Sequence, residues 1–372
     1  MKQKIAIIGA SAFQNPLILK AKEKGYETHV FAWKAGDVGE RTADVFYDVS
    51  ITEKDEILEI CQREGISGIC SIGSDLACLA VSYVAEKMGL TANSIQCSEI
   101  STNKYKMRQA FLTGNDPIPG FMAGDESTQA GEVSLRYPLI VKPTDRSGSR
   151  GVTRVETPEA LKPAIEAALQ DSFEKKVMIE EYIGGQEYSV ECVSWEGKHS
   201  FLALTQKWTT GSPHFIETGH YQPAEVSEEC LKAIRVVVFH ALDSLGIRYG
   251  ASHSEIKVMD GDIRIIEIGG RMGGDCIGSH LVPVSTGMDF VGMAVDIACG
   301  QAPDFTLKRK PEPVAIRFIF GEKDKAQYAA LKATRPQDIL ITDFENVAVG
   351  SDVVTDSSNR HGFYIYRGDW RI

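Results

Sequence analysis

The sequence has no excess of basic charge: 40 Lys and Arg face 51 Asp and Glu, a formal net charge of −11 over 372 residues. Binding to a nucleic-acid backbone or an anionic membrane surface needs a basic patch, so neither partner is expected. No stretch approaches the ~20 apolar residues of a membrane span. The eight cysteines, at 61, 70, 78, 97, 192, 230, 276 and 299, include no CxxC pair and no metal-ligand spacing. Most lie in apolar runs such as GISGICSIG and LACLAV, where a thiol packs as a small hydrophobe. Disulfides are therefore not expected, which points to a reducing, cytoplasmic setting. The opening MKQKIAIIGASA has a basic start but only a short apolar run, and it continues into an amphipathic helix pattern. It reads as a first strand rather than a signal peptide. Internal repeats and low-complexity segments are also missing. What is present, 43% apolar and 24% charged residues, is ordinary globular composition, long enough for two or three domains.

Residues 1–100 alternate strand and helix, which predicts a parallel, doubly wound sheet. KIAIIGA, ETHVFAW and GICSIG are the strands. Helices run from Pro16 to Lys24, over EKDEILEICQREG, and over SDLACLAVSYVAEKMG, with Ser74 as N-cap and Gly89 closing the last. The first strand leads into Gly9-Ala10-Ser11-Ala12-Phe13-Gln14, which lacks the GxGxxG of a dinucleotide fold, and Asp37 sits in a loop-like KAGDVGE. A helix is expected over 101–114. An α+β unit then begins within 114–120, with strands YPLIVKP and VTRVE and a helix N-capped by Thr157 with Pro158 at its first position. Two strands broken at Gly184-Gly185 follow. Beyond them come the strand HSFLALTQKW, an irregular stretch TTGSPHFIETGHYQPA, a helix over 227–244 and a hairpin turning at Asp260-Gly261. A helix over 285–300 leads to a tail with strand-like PVAIRFIF, NVAVG and GFYIYR.

Four features carry chemistry. The loop TDRSGSRG, between two strands, offers small residues whose backbone N–H groups can wrap a phosphate, with Lys142 just before it and Lys104 near a helix start. EEYIGGQE places acids and an aromatic at a strand break, where backbone groups can read a nucleobase edge and Glu187 can take ribose hydroxyls. Taken alone, Glu180 and Glu181 read as a solvated strand end. Glu255 and Glu267 lie on the two arms of the hairpin. A two-residue loop would oppose Glu255 to Ile266, whereas an odd-length loop, or a bulge, puts both carboxylates on one face within reach of one Mg²⁺, and the odd-length connection is expected. That register leaves Ile256, Val258, Ile266 and Ile268 on the buried face, alongside Arg264. A carboxylate in the apolar run IRIIEIGG is not left unpaired. Finally, GGRMGGD presents Arg271 on a backbone that can approach a ligand closely, and an arginine binds carboxylate or phosphate bidentately.

The order of these elements resembles the ATP-grasp superfamily, in its carboxylate–amine ligase and biotin-carboxylase-like branch. The order is a lysine, a strand lysine, a glycine loop, EEYI, a further Glu, and an E-x11-E hairpin followed by Arg. The resemblance implies an α/β and α+β chain. A leading doubly wound domain would cover 1–100, a linker helix and lid subdomain 101–186, and a C-terminal antiparallel-sheet subdomain with a β-rich extension 187–372. By position, Lys104 and Lys142 match lysines that touch ATP phosphates, and Ser147, Gly148, Ser149 and Gly151 match the lid loop. Glu180, Glu181, Tyr182 and Ile183 match the adenine hinge, and Glu187 the ribose acid. Glu255 and Glu267 match the carboxylates for Mg²⁺, with Mn²⁺ as a substitute. Arg271, with Lys142, matches the catalytic cations. The family's usual Asn two residues after the second Glu is Gly269 here. The IGGRMGGD variant and the upstream HFIETGHYQPA are similar to ligases that join amino acids, which makes His214, Glu217, His220, Arg271, Gly273 and Gly274 candidate substrate contacts.

The expected reaction joins a small carboxylate to a small amine through an acyl-phosphate, releasing ADP and phosphate. A homodimer is compatible with this reading. The alternatives are a bicarbonate-activating or carbamoyl-phosphate-type enzyme, and a nucleotide-binding regulatory protein with weak turnover. Nothing within these 372 residues resembles a biotin-carrier segment or a glutaminase domain, which weighs against the carboxylase and carbamoyl-phosphate readings.

Overall fold

Alternation along the first strand fixes the first sheet. The computed structural model describes residues 2–212, 214–344 and 359–368. In it, β1 (Lys4–Ile8), β2 (Glu27–Ala32), β3 (Val45–Asp48) and β4 (Gly68–Cys70) pair in parallel, in the order β3-β2-β1-β4. Parallel neighbours need crossovers, supplied by α1 (Asn15–Glu23), α2 (Val38–Thr42) and α3 (Lys54–Glu64), and α4 (Asp75–Met88) follows β4. Ile5 and Ile7 face one side, and Ala6 and Ile8 the other. All four are buried, as a sheet covered on both faces requires. Ser74 caps α4 by accepting the Ala77 N–H, and Gly89 ends it in a left-handed conformation. The short α2 and β3 are additional to the expected elements.

The helix expected over 101–114 is two helices, α5 (Ile95–Thr102) and α6 (Lys104–Gly114). The chain is extended at Asn103, whose side chain caps α6 by accepting from the Tyr105 and Lys106 N–H groups. A second sheet follows: β5 (Phe121–Gly124), β6 (Leu139–Pro143), β7 (Thr153–Val155) and β8 (Val177–Glu181), antiparallel in the order β5-β8-β6-β7. α7 (Leu161–Asp171) packs on it through Leu161, Ala164, Ile165 and Ala168. Thr157 and Pro158 open a three-residue 3-10 turn before α7 rather than the α-helix itself, and the Thr157 side chain makes no cap bond.

The third sheet holds the rest. Its parts are β9 (Gln186–Trp195), β10 (Lys198–Thr209), β11 (Glu217–Gln222), α8 (Glu228–Ser244), β12 (Gly250–Met259), β13 (Asp262–Gly269), α9 (Val282–Thr286), α10 (Phe290–Ala298), β14 (Val314–Phe318), α11 (Glu322–Thr334), β15 (Ile339–Asp343) and β16 (Phe363–Arg367). The strands run β13-β12-β9-β10-β11-β14-β16-β15. β11 is thus an ordered strand inside the stretch expected to be irregular. The helix expected over 285–300 is α9 and α10, separated at Gly287, which has a left-handed φ, with Asp289 capping α10 through the Gly292 N–H. GFYIYR forms β16, whereas NVAVG lies outside the described residues. α6 and α8 cover one face of this sheet, burying Met107, Phe111, Ile234 and Val238 against Val190, Leu204, Ile256 and Ile265. α10 crosses to the first sheet and buries Phe290, Val295 and Ile297 with Ile5, Ile7 and Val30. All eight cysteines are free thiols. Among the described residues, no helix is long and apolar enough to cross a membrane.

Candidate functional site

The two hairpin glutamates do share a face, but by a different route from the expected one. β12 and β13 join through the two-residue turn Asp260–Gly261, with Met259 opposite Asp262. A bulge then shifts the register: Ile256 pairs with Ile265, and Glu255 with Glu267. The extra residue lets sequence neighbours Ile266 and Glu267 both line one cleft, while Ile263, Ile265 and Ile268 take the buried face with Ile256. Ile266 and Arg264 are therefore not on the buried face. Arg264 is part-exposed and holds Asp262 at 2.8 Å. The Ile266 carbonyl, displaced from the ladder, accepts from Arg108 Nη2 at 2.6 Å.

Cross-strand pairing builds a charged floor from this hairpin. Glu267, Glu255 and Ser189 are successive neighbours across β13, β12 and β9, and Lys257 and Glu187 form the next row. Lys207 on β10 is buried among Glu255 at 2.7 Å, Glu187 at 3.0 Å and Glu217 at 3.5 Å. Burial opposes its charge, but the three carboxylates outweigh it and hold its pKa well above the ordinary lysine value. Burial likewise opposes charge on Glu255, yet Lys207 and His253 keep its carboxyl well below the usual range. His253 lies between Glu191 and Glu255. Burial works against its proton, but the Glu191 charge dominates and raises it to about 9. Lys104, at the start of α6, reaches Glu267 Oε1 at 3.0 Å and the Arg146 carbonyl at 2.6 Å. It stays charged despite burial because Glu267 faces it.

The second sheet forms the opposite wall. Ser147, Gly148 and Ser149 of the β6–β7 loop line the cleft, with φ left-handed at Gly148 and Ser149, whereas Gly151 lies at the loop exit beside Pro143 and Asp171. Lys142 pairs with Glu180, which also meets Arg108 Nη2 at 3.0 Å. Glu180 is 4% exposed, so it is a buried partner of two cations and not a solvated strand end. Burial lowers the Lys142 pKa even beside Glu180. The Glu181 carboxylate turns to Arg136 at 3.0 Å. Its N–H donates to the Gly120 carbonyl at 2.9 Å, and the Tyr182 N–H to Pro138. The Ile183 carbonyl accepts from Lys257 Nζ at 3.1 Å. The Tyr182 ring stacks 5.9 Å from Phe215. Together with Ile140 and Ile266 these residues enclose about 1080 Å³ of empty space, including the open mouth.

At the far end, Arg271 makes a two-bond ion pair with Asp75 at 2.7 and 2.9 Å. A side chain at 269 would put its Cβ 3.1 Å from Asp75 Oδ1 and 3.2 Å from Arg271 Cζ. Glycine there makes room for the ion pair. Of the candidate substrate residues, Glu217 and Arg271 line the cleft. His214, His220, Gly273 and Gly274 are not among its lining residues. His214 Nδ1 faces the Val152 carbonyl at 3.4 Å. His220 is fully buried, 3.5 Å from Asp275, and burial lowers its pKa. The Gly273 N–H donates to Glu191 at 2.9 Å, and the Gly274 carbonyl accepts from the Ile277 N–H at 2.8 Å.

Glu255 and Glu267 are hard oxygen donors placed directly opposite each other. Mg²⁺ is held by one or two carboxylates plus phosphate oxygens, so this donor pair suits it. Among the described residues, no group of three or more His, Cys, Asp or Glu side chains forms a closed metal centre. Asp75, Arg108, Glu191, Lys207, His253 and Lys257 complete the electrostatics and were not anticipated. Glu191 had a visible signal: it sits in the apolar run SVECVSW, as Glu267 does in IRIIEIGG.

A family model for the ATP-grasp domain matches residues 135–279. Alanine–anticapsin ligase of Bacillus subtilis (strain 168) is 26% identical over 300 residues, covering 73% of this chain and 63% of that protein. Dapdiamide A synthase of Enterobacter agglomerans is 31% identical over 195 residues, covering 49% of this chain and 45% of that protein. The chain thus spans less than two thirds of the length of these curated relatives. The crystal structure of L-amino acid ligase from Bacillus licheniformis superposes with a TM-score of 0.81 at 22% identity, covering 98% of this chain and 93% of that one. Residues 135–279 thus match the ATP-grasp domain, and the chain as a whole has the ATP-grasp fold.

Proposed function

We propose that this chain is an ATP-dependent ligase that joins a small carboxylate, an amino acid or something close to one, to a small amine. One observation carries the reading: Glu255 and Glu267 face each other beside Lys104, in a cleft walled by the Ser147–Ser149 loop and the Glu180–Ile183 hinge. In this reading Ile140, Ile266 and the hinge backbone hold the base, and Glu187 takes the ribose. Lys104, Lys142 and the loop N–H groups hold the phosphates. Mg²⁺, when bound on the two glutamates, neutralises charge developing on the transferred phosphoryl group. The substrate carboxylate attacks the γ-phosphorus and ADP leaves. The amine then attacks the acyl-phosphate, giving amide and inorganic phosphate. Arg271, held by Asp75, faces the reacting carbonyl end. Exclusion of water falls to the β6–β7 loop, since acyl-phosphates hydrolyse. The eight free thiols support a reducing, cytoplasmic compartment.

The test is ADP release over amino acids offered pairwise, with mass spectrometry of the product. Amine-dependent release and an amide product are expected. Release that depends on bicarbonate and needs no amine would overturn the reading in favour of a carboxylase. Glu267→Gln should lower turnover at least roughly 100-fold while the far-UV spectrum and melting profile are kept. Normal turnover by that variant removes the metal assignment.

A further inference from the structure

The guanidinium of Arg360 plays no part in the reaction as set out above, yet it is among the most engaged side chains near the cleft. It precedes β16 and stacks over Phe318, with its Cζ 3.7 Å from the ring centroid. Nη1 donates to Asp275 Oδ1 at 2.7 Å, and Nη2 to Glu217 Oε2 and to the Glu217 carbonyl, each at 3.2 Å. Nε is buried without a hydrogen-bond partner. Asp275 and Cys276 are consecutive non-glycine residues with φ of 51° and 62°. Such a turn is strained unless its surroundings hold it, and the Arg360 bond is part of what holds it. Glu217 lines the cleft beyond Glu255. Its Oε1 lies 3.5 Å from Lys207, too far to use up the hydrogen-bonding capacity of that oxygen. Lys207 answers three carboxylates at once, so this end of the cleft keeps an excess of negative charge.

We propose that Arg360 is a positioning residue for the substrate. By gripping Glu217 and Asp275 it aims the Glu217 carboxylate into the cleft, where that carboxylate takes the ammonium group of an amino-acid substrate. The substrate's own carboxylate then points toward Glu255, Glu267 and Arg271. This rests on the ligase reading and adds what that reading leaves open: which group selects an amino acid over an acid that lacks the ammonium group, and what holds that group in place.

The experiment measures kcat and KM by ADP release for the wild type, Arg360→Met, Arg360→Lys and Glu217→Gln. The probes are the amino acid giving the highest rate in the pairwise screen and its 2-hydroxy-acid counterpart. Arg360→Met should raise the KM for the amino acid roughly tenfold or more, with the KM for ATP within about twofold. Arg360→Lys should recover part of the loss. The preference for the amino acid over its hydroxy counterpart should fall in both Arg360→Met and Glu217→Gln. Equal effects on the two KM values, or an unchanged preference in Glu217→Gln, overturn the proposal. If Arg360→Met does not fold, Glu217→Gln decides the ammonium contact and Arg360→Lys the grip. A wild-type chain that releases no ADP with any amino acid, while MgATP still raises its melting temperature, sinks the ligase reading itself and the proposal with it.

Discussion

Arg108 is fully buried, and what makes that tolerable comes from two other elements. Glu180 on β8 supplies the opposite charge at 3.0 Å, and the bulged Ile266 supplies a carbonyl at 2.6 Å. Removing the Glu180 charge strands a buried guanidinium and leaves Lys142 without its partner. Glu180→Gln should therefore cost about 3–5 kcal/mol in urea unfolding. Arg108→Met should cost less, because Glu180 keeps Lys142. Equal losses would contradict this distribution. The sequence shows which residue types are costly to bury, and hence that Glu267 needs a partner. It does not show which partner, because Arg108, Lys104 and Asp75 lie far from their partners along the chain. Glu191 and Glu267 are legible as acids in apolar runs; Arg108, on an amphipathic helix, looks like any surface arginine.

The connector between β8 and β9 contains two glycines that differ in kind. Gly185 has a φ of 100°, and an added Cβ would lie 2.5 Å from the Val258 carbonyl oxygen. Gly184 would meet only the flexible thioether of Met259 at 3.3 Å. Gly185→Ala should destabilise by about 1–3 kcal/mol, from strain and steric overlap, whereas Gly184→Ala should stay within about 0.5 kcal/mol. Paired thermal melts check this, and matching melts would contradict the close approach. Elements with several turns of pattern and clear caps, such as α4 and α8, are legible in sequence. α2, β3 and β5, at four or five residues each, are too short to display a period. The bulge at Ile266 has no sequence mark, since an extra strand residue looks like any other isoleucine. Asn103 is a helix breaker only in retrospect, because its capping role depends on where α6 begins.

Asp75 at the start of α4 and Arg271 beyond β13 tie the parallel sheet to the large antiparallel one. Burial alone would raise the Asp75 carboxyl, but Arg271 holds it below its ordinary value of 3.8. The stabilisation from this pair is therefore complete above about pH 4 and lost as pH falls through the lower folded value. Asp75→Asn should lose about 3 kcal/mol at neutral pH. Its deficit against the wild type should hold constant from pH 7 to 5 and shrink only below about pH 4. Thermal unfolding across that range tests it, and a gap that narrows by pH 5 would assign the pH dependence elsewhere. The antiparallel sheet β5-β8-β6-β7, by contrast, is entered and left by the chain at 115–120 and 182–185. These crossings are stitched together by the Glu181 N–H and the Gly120 carbonyl. Two tethers bound side by side behave as a gatepost, and Arg108 on Glu180 with Lys104 on the Arg146 carbonyl is the latch that holds the sheet to α6. In the proposed nucleotide cleft, opening the mouth near Ser147–Ser149 therefore requires breaking the Lys104 bond to the neighbouring Arg146 carbonyl, while the Gly120–Glu181 stitch stays closed.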